Sequence, residues 1–173
     1  MQKKLTPLEK YNPLWIGWKS VYKYDAKVGY QIRFYCLKEL YNLRKTNLEL
    51  FNKKDFEELI KMMEELKQEK INISSLAQNC TLEEYQKFLE DYFKKIDDED
   101  RHGIFIFKTA AKFRIMASFI DVLQSWEDLD EEMKKCKKYC LYKAVTIYKA
   151  LKKGKIPQWK YRSNRRFRSW KRN

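Results

Sequence analysis

Apolar residues recur every three to four positions along most of the chain, the spacing of helices that bury one face. Asn12-Pro13 reads as a helix start, because Asn accepts from orphan amides and Pro suits the first helical position. Trp15, Trp18 and Tyr22 follow, predicting a short helix to about Tyr24. Asp25 caps a second helix with two stripes. One is Val28, Ile32, Cys36, Leu40 and Leu43; the other is Tyr30, Phe34, Leu37 and Tyr41. Apolar on two faces, this helix should be central. Thr46 with Glu49 reads as a capping box opening a third helix, whose core face is Phe56, Leu59, Ile60, Met63 and Leu66 and which fades into Lys70-Ile71-Asn72. These three helices predict a bundle over residues 8–70.

The pattern then repeats. Thr81 with Glu84 forms a second capping box before Leu82, Tyr85, Leu89, Tyr92 and Phe93. A long helix is predicted from Asp98 or Asp100, carrying Phe105, Phe113, Met116, Phe119, Ile120 and Leu123 to about Trp126. The last helix starts at Asp128 or Asp130 and carries Met133, Cys136, Cys140, Ala144, Ile147 and Leu151. Its acids, Glu131 and Glu132, open it, and Lys149, Lys152 and Lys153 close it, matching the helix dipole. Gly154 and Pro157 stop it. The expectation is an all-α chain of two tandem three-helix bundles with six or seven helices. The bundles cover 8–70 and 81–154, joined by a connector over 71–80 that is a loop or a short helix capped by Ser74-Ser75.

Composition agrees. Only 4 Gly and 3 Pro stand among 173 residues, too few turn-formers for a sandwich or an α/β fold. With 5 Trp, 12 Tyr and 10 Phe the chain carries too much apolar area to stay unfolded. The net charge of +14 is uneven. Residues 1–46 carry ten basic and three acidic groups, 47–100 eight and fifteen, 101–151 ten and six, and 152–173 ten and none. From 155 onward a basic tail interleaves Lys160, Arg162, Arg165, Arg166, Arg168, Lys171 and Arg172 with Trp159, Tyr161, Phe167 and Trp170. Such a segment can neutralise phosphates while its rings stack on bases, can settle on an anionic membrane, or can remain a solvated end. The first residues lack the apolar core of a signal peptide, and no apolar run reaches the roughly 18 residues of a membrane span. A cytoplasmic chain with reduced thiols is expected.

Motifs for chemistry are sparse. Cys136 and Cys140 share one face of the last helix, while Cys80 and His102 lie elsewhere, so core packing is favoured over a zinc site. The run Asp97-Asp98-Glu99-Asp100-Arg101-His102-Gly103 imitates a calcium loop. With Asp98 first, however, the twelfth place is Thr109 where a bidentate Glu is needed. There is one His, no phosphate-binding Gly-rich loop and no nucleophile elbow. The expectation is a binding protein with no catalytic residue, no metal and no cofactor.

Four segments, YDAKVGYQIRFYCLKEL (24–40), DDEDRHG (97–103), FRIMASFIDVL (113–123) and KYCLYKAVTIYKALKKGKIP (138–157), together resemble the N-terminal region of a vesicle-trafficking cofactor family. Its members are the LYST-interacting-protein-type regulators of the vacuolar-sorting AAA ATPase. The resemblance covers about residues 10–158. It implies tandem MIT domains that bind the C-terminal tails of ESCRT-III subunits, in the cytoplasm and peripherally at endosomal membranes. Family members continue through a Pro-rich linker to a domain that dimerises and contacts the ATPase. Here the tail follows instead, so the ESCRT-III-binding half is what the resemblance implies, with any ATPase link indirect. The family's third helix offers L-x-x-[LM]-M-[DE]-x-L to an incoming amphipathic helix, matched here by Leu59, Met62, Met63, Glu64 and Leu66. Some of these must face the core, so Met62 and Glu64 are the expected surface members. In the second bundle Tyr142 takes the place of the family's ligand-packing Trp.

Overall fold

The computed structural model describes residues 6–23, 25–103 and 106–157. Tyr24, Phe105 and the seven basic tail residues from Lys160 to Arg172 lie outside the described residues. Among those described the chain is all helical: α1 (Pro7–Lys10), α2 (Asn12–Tyr22), α3 (Ala26–Thr46), α4 (Lys53–Asn72), α5 (Leu82–Arg101), α6 (Phe107–Asp121) and α7 (Glu131–Lys152). Short 3-10 turns stand at Leu48–Leu50, Ser74–Ala77 and Val122–Ser125.

The caps explain most boundaries. Asp25, Thr81 and Asp130 accept from the amides of Val28, Glu84 and Met133 at 3.1, 3.2 and 2.7 Å, as the spacing predicts. Three starts differ from expectation. Asn12 is the first residue of α2 and does not cap it, because Thr6 and Glu9 already form a capping box one turn earlier at α1. Thr46 opens no helix. Its hydroxyl donates back to the Asn42 and Leu43 carbonyls, which makes it the last residue of α3. The box of α4 is Asn52 with Asp55, whose side chains each accept from the other's backbone amide. Finally, Asp98 and Asp100 belong to the last turns of α5, which runs on to Arg101 and ends at Gly103 (φ 72°). No residue before Gly103 can stop that helix cheaply. Its acids, unfavourable at a helix C-terminus, are met instead by Arg101 on Asp97, Lys112 on Glu99 and Lys143 on Asp100. At α7 the amides of Gly154 (φ 65°) and Lys155 bond back to the Leu151 and Ala150 carbonyls, a left-handed stop.

Buried residues of both halves join one apolar cluster, from Leu14, Val28, Ile32 and Leu40 to Tyr85, Phe113, Phe119, Cys140 and Ile147. The Tyr85 hydroxyl donates to the buried Phe119 carbonyl at 2.8 Å. Gly17 of α2 lets α6 approach: a Cβ there would stand 2.7 Å from Phe119 Cζ and 2.8 Å from Ile115 Cγ2. All four cysteines are free and buried. Burial pushes the Cys36 and Cys80 thiols up to about 12, and the hydrogen bond with Cys136, with burial, raises Cys140 further. Among the described residues no helix is long and apolar enough to cross a membrane.

Candidate docking surfaces

Arg33 of α3 fixes the frame of the first half. It is 1% exposed, lies 4.2 Å over the Trp18 ring, and pairs through Nη1 with Glu69 Oε1 at 2.5 Å. One guanidinium thus holds α2, α3 and α4 together, where a Lys could pair the carboxylate but not lay a planar group over the ring.

That frame leaves a groove between α3 and α4. Of the two stripes on α3, the first is buried from Val28 to Leu40, whereas Phe34 and Tyr41 of the second are 46% and 40% exposed. Together with Tyr30, Leu37, Met63, Leu66 and Ile71 they line an apolar hollow of about 470 Å³, edged by Lys38, Lys67 and Lys70. Tyr30 and Phe34 stack with centroids 6.4 Å apart, giving the hollow a flat aromatic wall. The ammonium of Lys70 donates to Asn79 at 3.3 Å and stands 5.9 Å from the Tyr30 ring.

The five α4 residues implied by the resemblance separate into three groups. Leu59 (1% exposed) and Met62 (3%) point into the core, so Met62 is not the surface residue expected. Met63, expected in the core, is 46% exposed and forms the groove wall, with Leu66 beneath it. Glu64 is exposed at the outer edge of α4, three residues before Lys67 and outside the lining. Ile60, expected inside, is 39% exposed. Phe56 is half-buried, with Arg44 3.9 Å over its ring. The cause is a small rotation: α4 buries Asp55, Leu59, Met62 and Leu66, one step round the wheel from the predicted face. The α3 wall and the lysine rim were missed by sequence reasoning. Their signal was present, since two apolar stripes on one helix exceed what a three-helix core absorbs.

In the second half Tyr142 stands on the outer face of α7, beside Leu141, Val145 and Tyr148. The same helix turns Cys136 and Cys140 inward with no exposure. Among the described residues no three His, Cys, Asp or Glu side chains gather as a metal site. His102 sits with Nδ1 2.7 Å from the Asp98 carbonyl.

A family model described as Vta1 like matches residues 11–153. Curated relatives named vacuolar protein sorting-associated protein VTA1 homolog include one from Bos taurus, 29% identical over 140 residues. Those from Homo sapiens and Mus musculus are each 27% identical over 137 residues. Each alignment covers 79% of this chain and 44% of the relative, so the chain spans less than half the length of the curated relatives it matches.

Proposed function

The chain belongs to the Vta1-like family, and from that premise we propose that it is a non-catalytic adaptor of vacuolar and endosomal protein sorting. In this reading 8–70 and 81–154 are tandem MIT-like bundles, and the first captures helical C-terminal tails of ESCRT-III subunits in the α3–α4 groove. The observation that carries it is the groove itself. An apolar trough walled by two helices, with an adaptable Met and flat aromatic rings, suits the apolar face of an amphipathic helix. Lys38, Lys67 and Lys70 then meet carboxylates along the tail, and Glu64 pairs a basic residue beyond the groove's edge. Work on the vacuolar-sorting AAA ATPase is coupled to this capture rather than performed by this segment.

The test is a titration of the full chain with ESCRT-III C-terminal peptides. Phe34→Asp and Met63→Asp place a charge in the trough at positions already open to solvent. Each is expected to weaken binding by about ten-fold or more while helical content stays unchanged. Unaltered affinity in both variants would sink the assignment of the groove.

A further inference from the structure

Lys38 on α3 and Lys67 and Lys70 on α4 are exposed at the edges of the α3–α4 groove, and none of the residues lining it is acidic. Among the described residues no carboxylate stands within ion-pair distance of these three lysines. The acids of the two walls are used elsewhere. Glu69 gives Oε1 to Arg33, and Asp55 is held in the box with Asn52. Glu57, Glu58, Glu64 and Glu65 are exposed outside the lining. Glu39, the one acid of α3, acts on Tyr11 and Tyr35, whose hydroxyls are raised by burial first and then by this carboxylate.

Lys67 and Lys70 stand three residues apart on one helix, a like-charge spacing that costs stability in the free chain. The register of the two antiparallel walls locates Lys38 relative to them. Arg33 meets Glu69, the Lys70 ammonium is 5.9 Å from the Tyr30 ring, and Arg44 covers Phe56. At a rise of about 1.5 Å per residue, Lys67 lies about 4.5 Å along the groove from Lys70, and Lys38 about 6 Å further, on the opposite wall. The trough from Tyr30 to Tyr41 is about 16 Å long, room for about three helical turns. Each turn of an occupant thus meets one ammonium, twice from the α4 side and once from the α3 side. An oligonucleotide would answer the lysines but leave Leu37, Met63, Leu66 and Ile71 without an apolar partner. The chain's own end fits no better, since after Pro157 it carries seven basic residues and no acid. Resting on the reading of this groove as a helix-docking site, we infer that its lysine rim selects the occupant by charge. The partner is an amphipathic helix of about three turns with carboxylates on both flanks of its apolar stripe, and a helix with basic flanks is turned away.

The test measures binding of the full chain to three synthetic amphipathic peptides of about five turns. All share one leucine stripe, and their flanks are built of Glu, Gln or Lys. The Glu peptide should bind about ten-fold more tightly than the Gln peptide, and the Lys peptide most weakly, with the spread narrowing as salt rises. Lys67→Glu with Lys70→Glu should reverse the order. Lys94→Glu with Lys95→Glu, the same change of charge at exposed positions of α5, should leave it as it is. Phe34→Asp should weaken the Glu and Gln peptides alike. Should Phe34→Asp weaken binding while the three peptides bind equally, or while the α5 variant shifts the order as far as the α4 variant, charge selection is overturned and the groove keeps its docking role. An order that survives with Phe34→Asp without effect would place the acid preference elsewhere on the chain and overturn both. Displacement of the Glu peptide by RNA, or a particle mass that halves when the peptide is added, would make RNA or a second copy the occupant and overturn the inference as well.

Discussion

Lys143 and Asp100 are 43 positions apart in sequence and 2.6 Å apart in space. Both are buried, with side-chain exposures of 8% and 4%. The pair ties the last turn of α5 to the middle of α7, where it also places an ammonium near the Tyr139 ring. Its worth is easily overstated, because removing two charges from water costs about what their attraction returns. Removing one partner is a different matter. Lys143→Met takes the buried ammonium away from the Asp100 carboxylate, so it should lower stability by about 3–5 kcal/mol. Adding Asp100→Leu removes the buried carboxylate as well and should restore most of the loss. Urea unfolding of the two variants checks both steps. A single variant as stable as the parent, or a double variant no better than the single, would contradict this account.

At the level of elements, helix existence was legible and three starts were not. The 3–4 periodicity marked α2 through α7, and Asp25, Thr81 and Asp130 cap where their spacing says they should. Thr46-Glu49 and Asn52-Asp55 are both plausible capping pairs on paper. What separates them is that α3 runs on to Thr46 and uses its hydroxyl on its own last turn, which the chain cannot reveal locally. The difference is measurable. Asn52→Ala removes the side-chain acceptor of the Asp55 amide and should cost about 1 kcal/mol, whereas Thr46→Ala at an exposed last turn should cost only a few tenths. Equal costs would mean that α4 is not held by Asn52. The rotation of α4 has the same origin. Leu59 and Leu66 belong to both the predicted and the observed face, so the sequence leaves Met62 and Met63 interchangeable until α3 is in place. Half of the groove was hidden for that reason, and the other half because Phe34 and Tyr41 look like core.

At the scale of the whole molecule, the repeated three-helix pattern describes the order of elements, but packing does not stop at the connector. Phe119 of α6 sits with no exposure between Phe88 and Tyr92 of α5, 5.4 and 5.2 Å away centre to centre. Its ring edge also closes on Gly17 of α2. A side chain at position 17 therefore presses the first half against the second. Gly17→Ala tests this weakly, since about 1 kcal/mol of helix propensity gained offsets part of the clash. Gly17→Val brings two further methyls and the lower propensity of a branched residue, and should cost about 2–3 kcal/mol. Because the apolar cluster spans both halves, the loss should not be confined to α2. Helical content followed by circular dichroism and the change in tryptophan fluorescence should give one shared urea midpoint, moved to lower denaturant in the variant. Adding Phe119→Leu should return part of the lost stability by making room for the new side chain, a coupling of the kind neighbours in contact show. Two separate transitions, or costs that simply add in the double variant, would mean that the halves fold apart and that the Gly17–Phe119 contact does not join them.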